Sequence, residues 1–405
     1  MTNKIKHILK THMPNSIFIE YLKIFRKAYW ELKKISRQLN KKNIHNNLYT
    51  PDKLKDMSPQ VVLYLSGTHE SAYQGNMWLK VLEKIDANVI IVLRNHNIIY
   101  SLNSTTLPVV ILENVHQLEL LEEAGVKTIL YPSNPMTVTQ SLRLYRLNHY
   151  FINHGESDKV VNQSKLLMAY DKLLVAGPMA KRRLIEAKLP IRDNQVIYVG
   201  RPQVELFLTK IELPSKEVKT ILYAPTWEGF MEAANYSSIN EYGIRLMTVL
   251  GEISKYKEVY VKLHPFTGNT NRGNIQKDTL KIENIAKNTN INLVARNESI
   301  YKYMNMSDIM ITDISSIISD YLYTGKPMVL TNARAMNHIQ IHNDYPSTQG
   351  LYILDNPIKL DLLLSDIEER DTLLEERSNI ANDILGHIPE GSINKFNLVI
   401  NESLV

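Results

Sequence analysis

The chain contains no cysteine among its 405 residues. Disulfide bonds and metal sites built on thiolates are therefore excluded, and a reducing compartment suits this composition. No apolar stretch reaches the roughly 18 residues that a membrane-spanning helix requires. No apolar core follows residues 1–10, as it would in a secretory signal. We therefore expect a protein of the cytoplasm that does not span the membrane.

Two familiar nucleotide-binding signatures are also missing. The loop at 67–71 follows the first predicted strand but does not match G-x-G-x-x-G, and no P-loop occurs anywhere. A Rossmann dehydrogenase and a P-loop kinase are thus not indicated. His338 and His342 share a possible helical face, yet nothing supplies further ligands, so we predict no metal site. Whether a divalent cation is needed stays open.

The net charge of +5 is unevenly distributed along the chain. Residues 1–42 contain 11 Lys or Arg and two acidic residues, so the remainder of the chain is net negative. Apolar residues recur at helical spacing over 16–39 with basic residues between them, which is typical of an amphipathic helix on an anionic membrane surface. A surface helix packed on its own domain would show the same pattern. Nucleic-acid binding is not expected, because the rest of the chain offers no matching basic surface.

From residue 60 onwards, short apolar runs alternate with amphipathic segments. The runs are continuously apolar, which is typical of parallel strands that are buried on both faces. Strands are predicted at 61–65, 89–93, 109–112, 128–131, 149–153, 173–176 and 196–199, and then at 220–223, 259–263, 291–294, 309–312 and 328–330. Helices are predicted at 72–85, 117–123, 242–253 and 315–323.

This alternation predicts two consecutive α/β domains, each with a parallel sheet, that face each other across a cleft. The mixed segment 201–219 interrupts the pattern and is interpreted as the crossover between them. The predicted divisions are a basic helical arm and linker at 1–50, an N-terminal Rossmann-like domain at 51–205, a C-terminal Rossmann-like domain at 206–385 and a tail at 386–405.

Polar residues follow three of the predicted strands. His154 follows the strand at 149–153, His264 follows the strand at 259–263, and the segment 312–316 ends the strand at 309–312. Because ligands bind at the carboxyl ends of the strands in open α/β sheets, we expect these three segments to share one site. A structural, hydrogen-bonded histidine at a strand end is the alternative interpretation for each ring.

The segment 312–316 (TDISS) carries the strongest local signal. Free backbone N–H groups at a helix start, with serine hydroxyls beside them, suit a phosphate. Plain N-capping would need only one such residue, whereas four polar residues occur here in five positions. Lys262 shares a strand face with His264, and Gly155 allows a substrate to approach the backbone closely. Glu156 or Asp158 could orient the imidazole of His154.

Six segments in this order resemble the CDP-glycerol glycerophosphotransferases, the teichoic-acid primases and polymerases of GT-B architecture. The segments are 153–159 (NHGESDK), 170–178 (YDKLLVAGP), 199–203 (VGRPQ), 222–229 (LYAPTWEG), 262–265 (KLHP) and 312–316 (TDISS). The resemblance spans residues 60–355. Better-known polymerases carry HGTPLK where this chain has HGESDK, so the donor alcohol and the acceptor stay open.

The resemblance implies catalytic roles for two histidines, which fall on His154 and His264. It also places the TDISS segment near the donor diphosphate. The complete set of substrate-binding residues that we predict is Gly67, Gly155, Glu156, Arg201, Thr226, Lys262, Thr312, Asp313, Ser315, Ser316 and Asp320.

The resemblance further implies the transfer of an alditol phosphate, by default glycerol phosphate, from a CDP-activated donor to an acceptor hydroxyl, with release of CMP. The polymer would be a teichoic acid or a capsule-like polymer, and the acceptor would be lipid-linked or polymeric. The CDP-alcohol donor is a substrate, and the resemblance assigns no certain cofactor. The protein would be cytoplasmic and peripheral, held on an anionic membrane face by residues 1–42. A GT-B nucleotide-sugar glycosyltransferase and a non-catalytic, membrane-associated nucleotide-binding protein are the alternatives.

Overall fold

The computed structural model describes residues 47–158, 164–211, 217–229, 235–268, 274–296 and 298–405. The basic helix predicted at 16–39 lies outside these residues. Within them, two separate parallel sheets form, and each sheet has a hydrophobic core on both of its faces. The expected pair of Rossmann-like domains is therefore confirmed.

The first sheet has eight strands in the order β1-β4-β3-β2-β5-β6-β7-β8. Its central strands are buried along their whole length, because the continuous apolar runs pack against helices on both sides. The strands are β1 (Leu48–Tyr49), β2 (Val61–Leu65), β3 (Val89–Leu93), β4 (Val109–Ile111), β5 (Thr128–Tyr131), β6 (Asn148–Phe151), β7 (Lys172–Val175) and β8 (Val196–Tyr198).

The second sheet has six strands in the order β11-β10-β9-β12-β13-β14. The central position of β9 brings the ends of β10 and β12 to its two sides, so that their loops emerge close together. The strands are β9 (Thr220–Ala224), β10 (Glu258–Val261), β11 (Asn292–Leu293), β12 (Ile309–Thr312), β13 (Met328–Thr331) and β14 (Tyr352–Leu354).

Helices connect the strands and cover both sheets. They are α1 (Leu54–Met57), α2 (Ala72–Leu82), α3 (Glu119–Glu123), α4 (Thr139–Leu142), α5 (Pro178–Glu186), α6 (Pro202–Phe207), α7 (Glu241–Ile253), α8 (Ile275–Lys287), α9 (Ile300–Met306), α10 (Ile317–Leu322), α11 (His338–Asp344), α12 (Leu360–Glu369), α13 (Leu374–Leu385) and α14 (Ser392–Glu402). Among the described residues, no helix is both long and apolar enough to cross a membrane.

The elements differ from the sequence expectation where the candidate site begins. The strand predicted at 149–153 ends at Phe151, and the strand predicted at 259–263 ends at Val261. His154 and His264 therefore lie on loops beyond the strands. The helix predicted at 315–323 is α10, which begins only at Ile317 because the chain first makes a bend and a turn.

The C-terminal segment returns to the first domain. The ring of Phe396 in α14 packs 5.1 Å from that of Trp78 in α2, and Phe396 is fully buried. The Ser403 and Thr128 hydroxyl groups are hydrogen-bonded at 2.7 Å. Residues 386–405, which the sequence analysis set apart as a tail, thus complete the core of the N-terminal domain.

Candidate functional site

The loops that follow β6 and β12 meet between the two domains. A β-carbon added to Gly155 would lie 2.8 Å from both the Cβ and the Oγ of Ser316. Such a distance is shorter than any normal contact, so glycine is required for the two loops to approach this closely. The HG segment of the first domain and the TDISS segment of the second are therefore in direct contact.

The backbone that carries His154 is held by local hydrogen bonds. Asn153 has a left-handed conformation with φ of 52°, and its Oδ1 accepts a hydrogen bond from the His154 N–H at 2.8 Å. Its Nδ2 donates to the Gly155 carbonyl at 2.7 Å, and the Trp78 indole donates to the Asn153 carbonyl at 2.6 Å. Short polar side chains tolerate this conformation because they bond to neighbouring backbone groups.

The His154 ring is held as a neutral base. Its Nδ1 lies 2.8 Å from the Pro132 carbonyl oxygen, which can only accept, so Nδ1 carries the proton and Nε2 keeps its lone pair. Burial lowers the pKa of His154 to about 4; the Pro132 carbonyl opposes that shift, and the charge of Arg201 adds to it. Near neutral pH the ring is therefore uncharged.

The His264 ring is the opposite tautomer. Its Nδ1 accepts a hydrogen bond from the Phe266 backbone N–H at 3.1 Å, so the neutral ring carries its proton on Nε2. The Trp227 ring stacks on the imidazole with centroids 6.1 Å apart and planes 19° apart. One histidine can thus accept a proton at Nε2, whereas the other can donate a hydrogen bond from Nε2.

Tyr73 in α2 contacts both histidines. Its ring centroid lies 5.7 Å from that of His154 and 5.8 Å from that of His264, in edge-on geometry both times. The sum of these two distances sets an upper limit of 11.5 Å on the separation of the imidazole centroids. The two histidines, 110 positions apart in the sequence, therefore belong to one site.

The TDISS segment divides into two pairs of residues with different roles. The Ser315 hydroxyl is buried without a hydrogen-bond partner among the described residues, and Ser316 contacts Gly155. In contrast, the Thr312 hydroxyl donates to the Ala224 carbonyl at 2.9 Å. The Asp313 carboxylate accepts from the backbone N–H of Thr226 at 2.8 Å and of Ser238 at 3.0 Å, and from the Thr331 hydroxyl.

These contacts link the strand ends of the second sheet. Thr226 and Asp313 lie on neighbouring loops, after β9 and β12, and are joined to each other. Burial raises the pKa of the fully enclosed Asp313 carboxyl, while its hydrogen bonds oppose that shift. Asp313 and Thr312 therefore shape the loops and are already engaged by protein groups.

Arg201 and Asp320 form a buried ion pair behind the His154 loop. The Arg201 Nε and Nη2 both donate to Asp320 Oδ1, at 3.0 and 2.7 Å, and Nη2 also donates to the His154 carbonyl at 3.2 Å. The Tyr301 hydroxyl donates to Asp320 Oδ2 at 3.2 Å. Burial raises the pKa of Asp320, and Arg201 opposes that shift. The pair joins the His154 loop to α10.

Glu156 and Asp158, the acidic residues of the HGESDK segment, face the largely buried Arg183. The Arg183 guanidinium pairs with Asp158 and lies 3.7 Å from Glu156. Asp158 also accepts hydrogen bonds from the backbone N–H of Ser347 at 2.9 Å and from its hydroxyl. The Glu156 carbonyl accepts from the Ser319 hydroxyl at 3.0 Å. The loop is thus fastened to the second domain at two further points.

Two other predicted residues, Lys262 and Gly67, are packed against their own loops. The Lys262 ammonium group is buried and donates to the backbone carbonyls of Arg296 and Leu263, at 2.9 and 3.3 Å. Burial lowers the pKa of Lys262 to about 8. Gly67 lies in the loop after β2, where a β-carbon would collide with the Ser71 hydroxyl. The described residues contain no cluster of three or more His, Asp or Glu side chains suited to a metal ion.

The site also contains residues that no sequence pattern indicated. Trp227 lies inside the recognised segment at 222–229, so that segment could have pointed to it. Tyr73, Phe266, Arg183 and Ser347 occur in segments without a comparable signal. Their place in the site results from packing between elements that are distant in sequence.

Two parallel-sheet domains, with a C-terminal helix that returns to the first one, define a GT-B architecture. The chain belongs to the CDP-glycerol:poly(glycerophosphate) glycerophosphotransferase family, whose model matches residues 146–352. The matched region begins just before β6 and includes both histidines and the TDISS segment.

Individual relatives agree with this membership. The teichoic acid ribitol-phosphate primase of Bacillus spizizenii is 23% identical over 220 residues, which make up 50% of this chain and 52% of the primase. The match thus spans about half the length of that curated relative.

Solved structures support the same fold. The wall teichoic acid polymerase TagF superposes with a TM-score of 0.59 at 14% identity, over 97% of this chain and 98% of that one. A variant of TagF soaked with CDPG gives 0.60 at 13% identity, with the same coverage of both chains. A putative UDP-N-acetylglucosamine 2-epimerase from Listeria monocytogenes gives 0.54 at 10% identity, over 84% and 94% of the two chains. At these identities the likeness concerns the fold alone.

Proposed function

We propose that the protein transfers an alditol phosphate from a CDP-activated donor to an acceptor hydroxyl and releases CMP. Glycerol phosphate is the default group, and a teichoic acid or capsule-like polymer is the product class. The observation that carries the proposal is that a proton-accepting His154 and a hydrogen-bond-donating His264 both contact the ring of Tyr73. Family membership supplies the donor class.

The acceptor oxygen attacks the phosphorus that carries the alditol. As this bond forms, the bond from that phosphorus to the oxygen shared with the CMP phosphate breaks, and CMP leaves. The Nε2 of His154 takes the hydroxyl proton or holds the reacting phosphate. A bound diphosphate places negative charge beside the ring and raises the pKa of His154 from its low value in the free protein.

His264 and the serine pair act on the phosphate groups. The His264 Nε2–H stabilises charge that develops on the leaving phosphate, and positioning with electrostatic stabilisation provides most of the catalysis in such transfers. The free Ser315 hydroxyl and the neighbouring Ser316 bind the diphosphate. Because α10 has only six residues, its dipole contributes little, and these hydroxyl groups carry the binding.

The remaining predicted residues support the site from behind. Arg201, Asp313 and Asp320 hold the loops through buried hydrogen bonds. We propose the same role, support of the loops that carry the site, for Thr312, Thr226, Lys262, Glu156 and Gly67. Under this proposal the first domain receives the acceptor, which is lipid-linked or polymeric, and residues 1–42 hold the enzyme on the cytoplasmic face of an anionic membrane.

Nucleotide release tests the proposal directly. The full chain is incubated with CDP-glycerol, CDP-ribitol and UDP- or GDP-sugars, and the released nucleotide is identified. CMP release supports phosphotransfer, whereas UDP or GDP release indicates the glycosyltransferase alternative, and binding without turnover indicates the non-catalytic one. His154→Ala and His264→Ala should each lower turnover by about 100-fold or more. His96→Ala is the control, since His96 is exposed and paired with Glu113.

A further inference from the structure

Tyr73 lies near the start of α2, in the first domain, and its ring reaches the second domain. The ring is perpendicular to His154, with an interplanar angle of 90°, and nearly perpendicular to His264, at 82°. It also meets Phe266 edge-on, with centroids 5.8 Å apart. A single side chain from one domain therefore touches the imidazole of its own domain and two rings of the opposite domain.

The rings around His264 form a continuous aromatic cluster, composed of Tyr73, Trp227, His264 and Phe266. Within it, Trp227 and Phe266 are 5.3 Å apart at an angle of 73°, and His264 lies 5.6 Å from Phe266. Edge-to-face and offset arrangements of this kind are the favoured geometries of aromatic pairs. The cluster therefore fixes the orientation of His264, and Tyr73 is its only member from the first domain.

We propose that Tyr73 is a positioning residue of the transfer reaction, whose ring holds the imidazoles of His154 and His264 in a fixed relation across the cleft and keeps water away from His154. The inference rests on the proposed function for the roles of the two histidines. Tyr73 acts through these rings and is assigned no chemical step of its own. Small displacements of reacting groups cost up to about 100-fold in rate. A ring that contacts both imidazoles and limits their movement therefore affects turnover.

The aromatic ring carries this role, and the hydroxyl group does not. Within the part of the chain that the structure describes, the hydroxyl oxygen accepts only one hydrogen bond, a long one of 3.5 Å from the Gln74 side chain. Burial raises the pKa of Tyr73 to about 12, so the side chain is uncharged throughout the working range of pH. Substitution of Tyr73 by phenylalanine should therefore preserve activity, whereas substitution by an aliphatic side chain should not.

The surroundings of His154 allow the effect on water to be measured. The ring contacts Tyr73 from α2 and the Pro132 carbonyl from the loop after β5, and the charge of Arg201, which is paired with Asp320, acts on it from behind the loop. Of these three neighbours, Tyr73 is the one whose ring can be removed by a substitution that leaves the charges around His154 unchanged. A loss of Tyr73 should admit water and bring the pKa of His154 back towards its ordinary value.

The experiment compares Tyr73→Phe, Tyr73→Leu and Tyr73→Met in the full chain. Turnover of CDP-glycerol and its KM are measured, and the protonated fraction of His154 at pH 5.5 is read by NMR, with His154→Gln identifying the signal. The Leu and Met variants should lose about 10- to 100-fold in kcat with KM changed less than about threefold. Their His154 should be measurably protonated, whereas Tyr73→Phe should match the unmodified protein in both readouts.

Tyr260→Leu is the matched control, because it removes an aromatic pair with Tyr303, 5.1 Å apart, that contacts neither histidine. The proposal is overturned if kcat or the His154 signal is unchanged in the Leu and Met variants, or if Tyr73→Phe is as impaired as they are. If the unmodified protein transfers nothing from either CDP-glycerol or CDP-ribitol, the proposed function fails, and the NMR readout still decides whether Tyr73 shields His154.

Discussion

The backbone of Gly155 lies against the Ser316 side chain, so the two domains touch at the point where both contribute to the site. This contact fixes the distance from the HG loop to the start of α10. The close approach of Gly155 to Ser316 predicts that this glycine is essential for activity, although it has no side chain that could react. Any side chain here must move either the His154 loop or the serine pair.

We expect Gly155→Ala to lower kcat by about 100-fold, because its β-carbon would displace the loop by a substantial part of an ångström. Ser316→Gly in the same chain removes the atoms that the new methyl group meets, so it should recover part of the loss. A double-mutant cycle on kcat, with Ser316→Gly alone as the control, measures this coupling. Wild-type turnover in Gly155→Ala would contradict the close approach.

The buried neutral His154 makes stability depend on pH. Its folded pKa of about 4 is below the ordinary value of 6.5, so the unfolded chain binds the additional proton between these pH values. Stability should therefore rise as the pH increases from about 4 to 6.5, and His154 should account for about 3 kcal/mol of that rise.

His154→Gln should flatten this dependence, which urea unfolding at pH 4.5 and pH 7 would measure. His387→Gln, at an exposed position, is the control and should leave the dependence nearly as it is. A steep dependence that persists in His154→Gln would show that other groups cause it.

The ion pair of Arg183 and Asp158 holds the HG loop within the first domain, and Asp158 also binds Ser347 of the second domain. Asp158→Asn leaves the guanidinium without its nearest charge and weakens the bonds to Ser347, so we expect a loss of about 3–5 kcal/mol in unfolding free energy. Combining it with Arg183→Met should recover part of that loss, since the guanidinium that has lost its nearest carboxylate is then absent; Glu156 at 3.7 Å also loses its partner, so the recovery should be incomplete.

Equilibrium unfolding in urea measures both variants. Glu252→Gln is the matched control, because it breaks the exposed pair with Lys255 and should cost less than about 1 kcal/mol. If Asp158→Asn were as mild as this control, the ion pair would not fasten the loop.

Removal of residues 1–46 should reduce binding to anionic vesicles and leave transfer to a soluble acceptor intact. Residues 1–42 carry a large excess of Lys and Arg, and each basic residue near such a surface contributes about 1 kcal/mol. Sedimentation with phosphatidylserine-containing vesicles measures the binding, with phosphatidylcholine vesicles as the control. Equal binding by the shortened and the full chain would refute a membrane role for this arm.

The positions of several strands can be predicted from the local sequence alone. Continuous apolar runs such as β2 and β3 predict buried parallel strands, because a strand covered on both faces needs no polar residue along its length. Short or partly exposed elements have no such pattern. The two residues of β1 and the helix α14 were therefore not predicted.

In the candidate site, too, some features follow from local sequence and others only from the tertiary structure. The positions of His154 and His264 after apolar runs are local features, and the sequence indicated them. Thr312 and Asp313 have the same local appearance as Ser315 and Ser316, yet they bond to protein groups. Local chemistry does not distinguish a hydroxyl or carboxyl that faces the cleft from one that faces a neighbouring strand.

The amino-acid order by itself determined the two parallel-sheet domains and the segments that carry the histidines, because burial and strand formation depend on neighbouring residues. Only the tertiary structure decided that Tyr73 contacts both imidazoles, that Arg183 holds the acidic loop, and that α14 completes the first domain. Each of these relations joins residues far apart along the chain, and such partners are selected by the packing of whole elements.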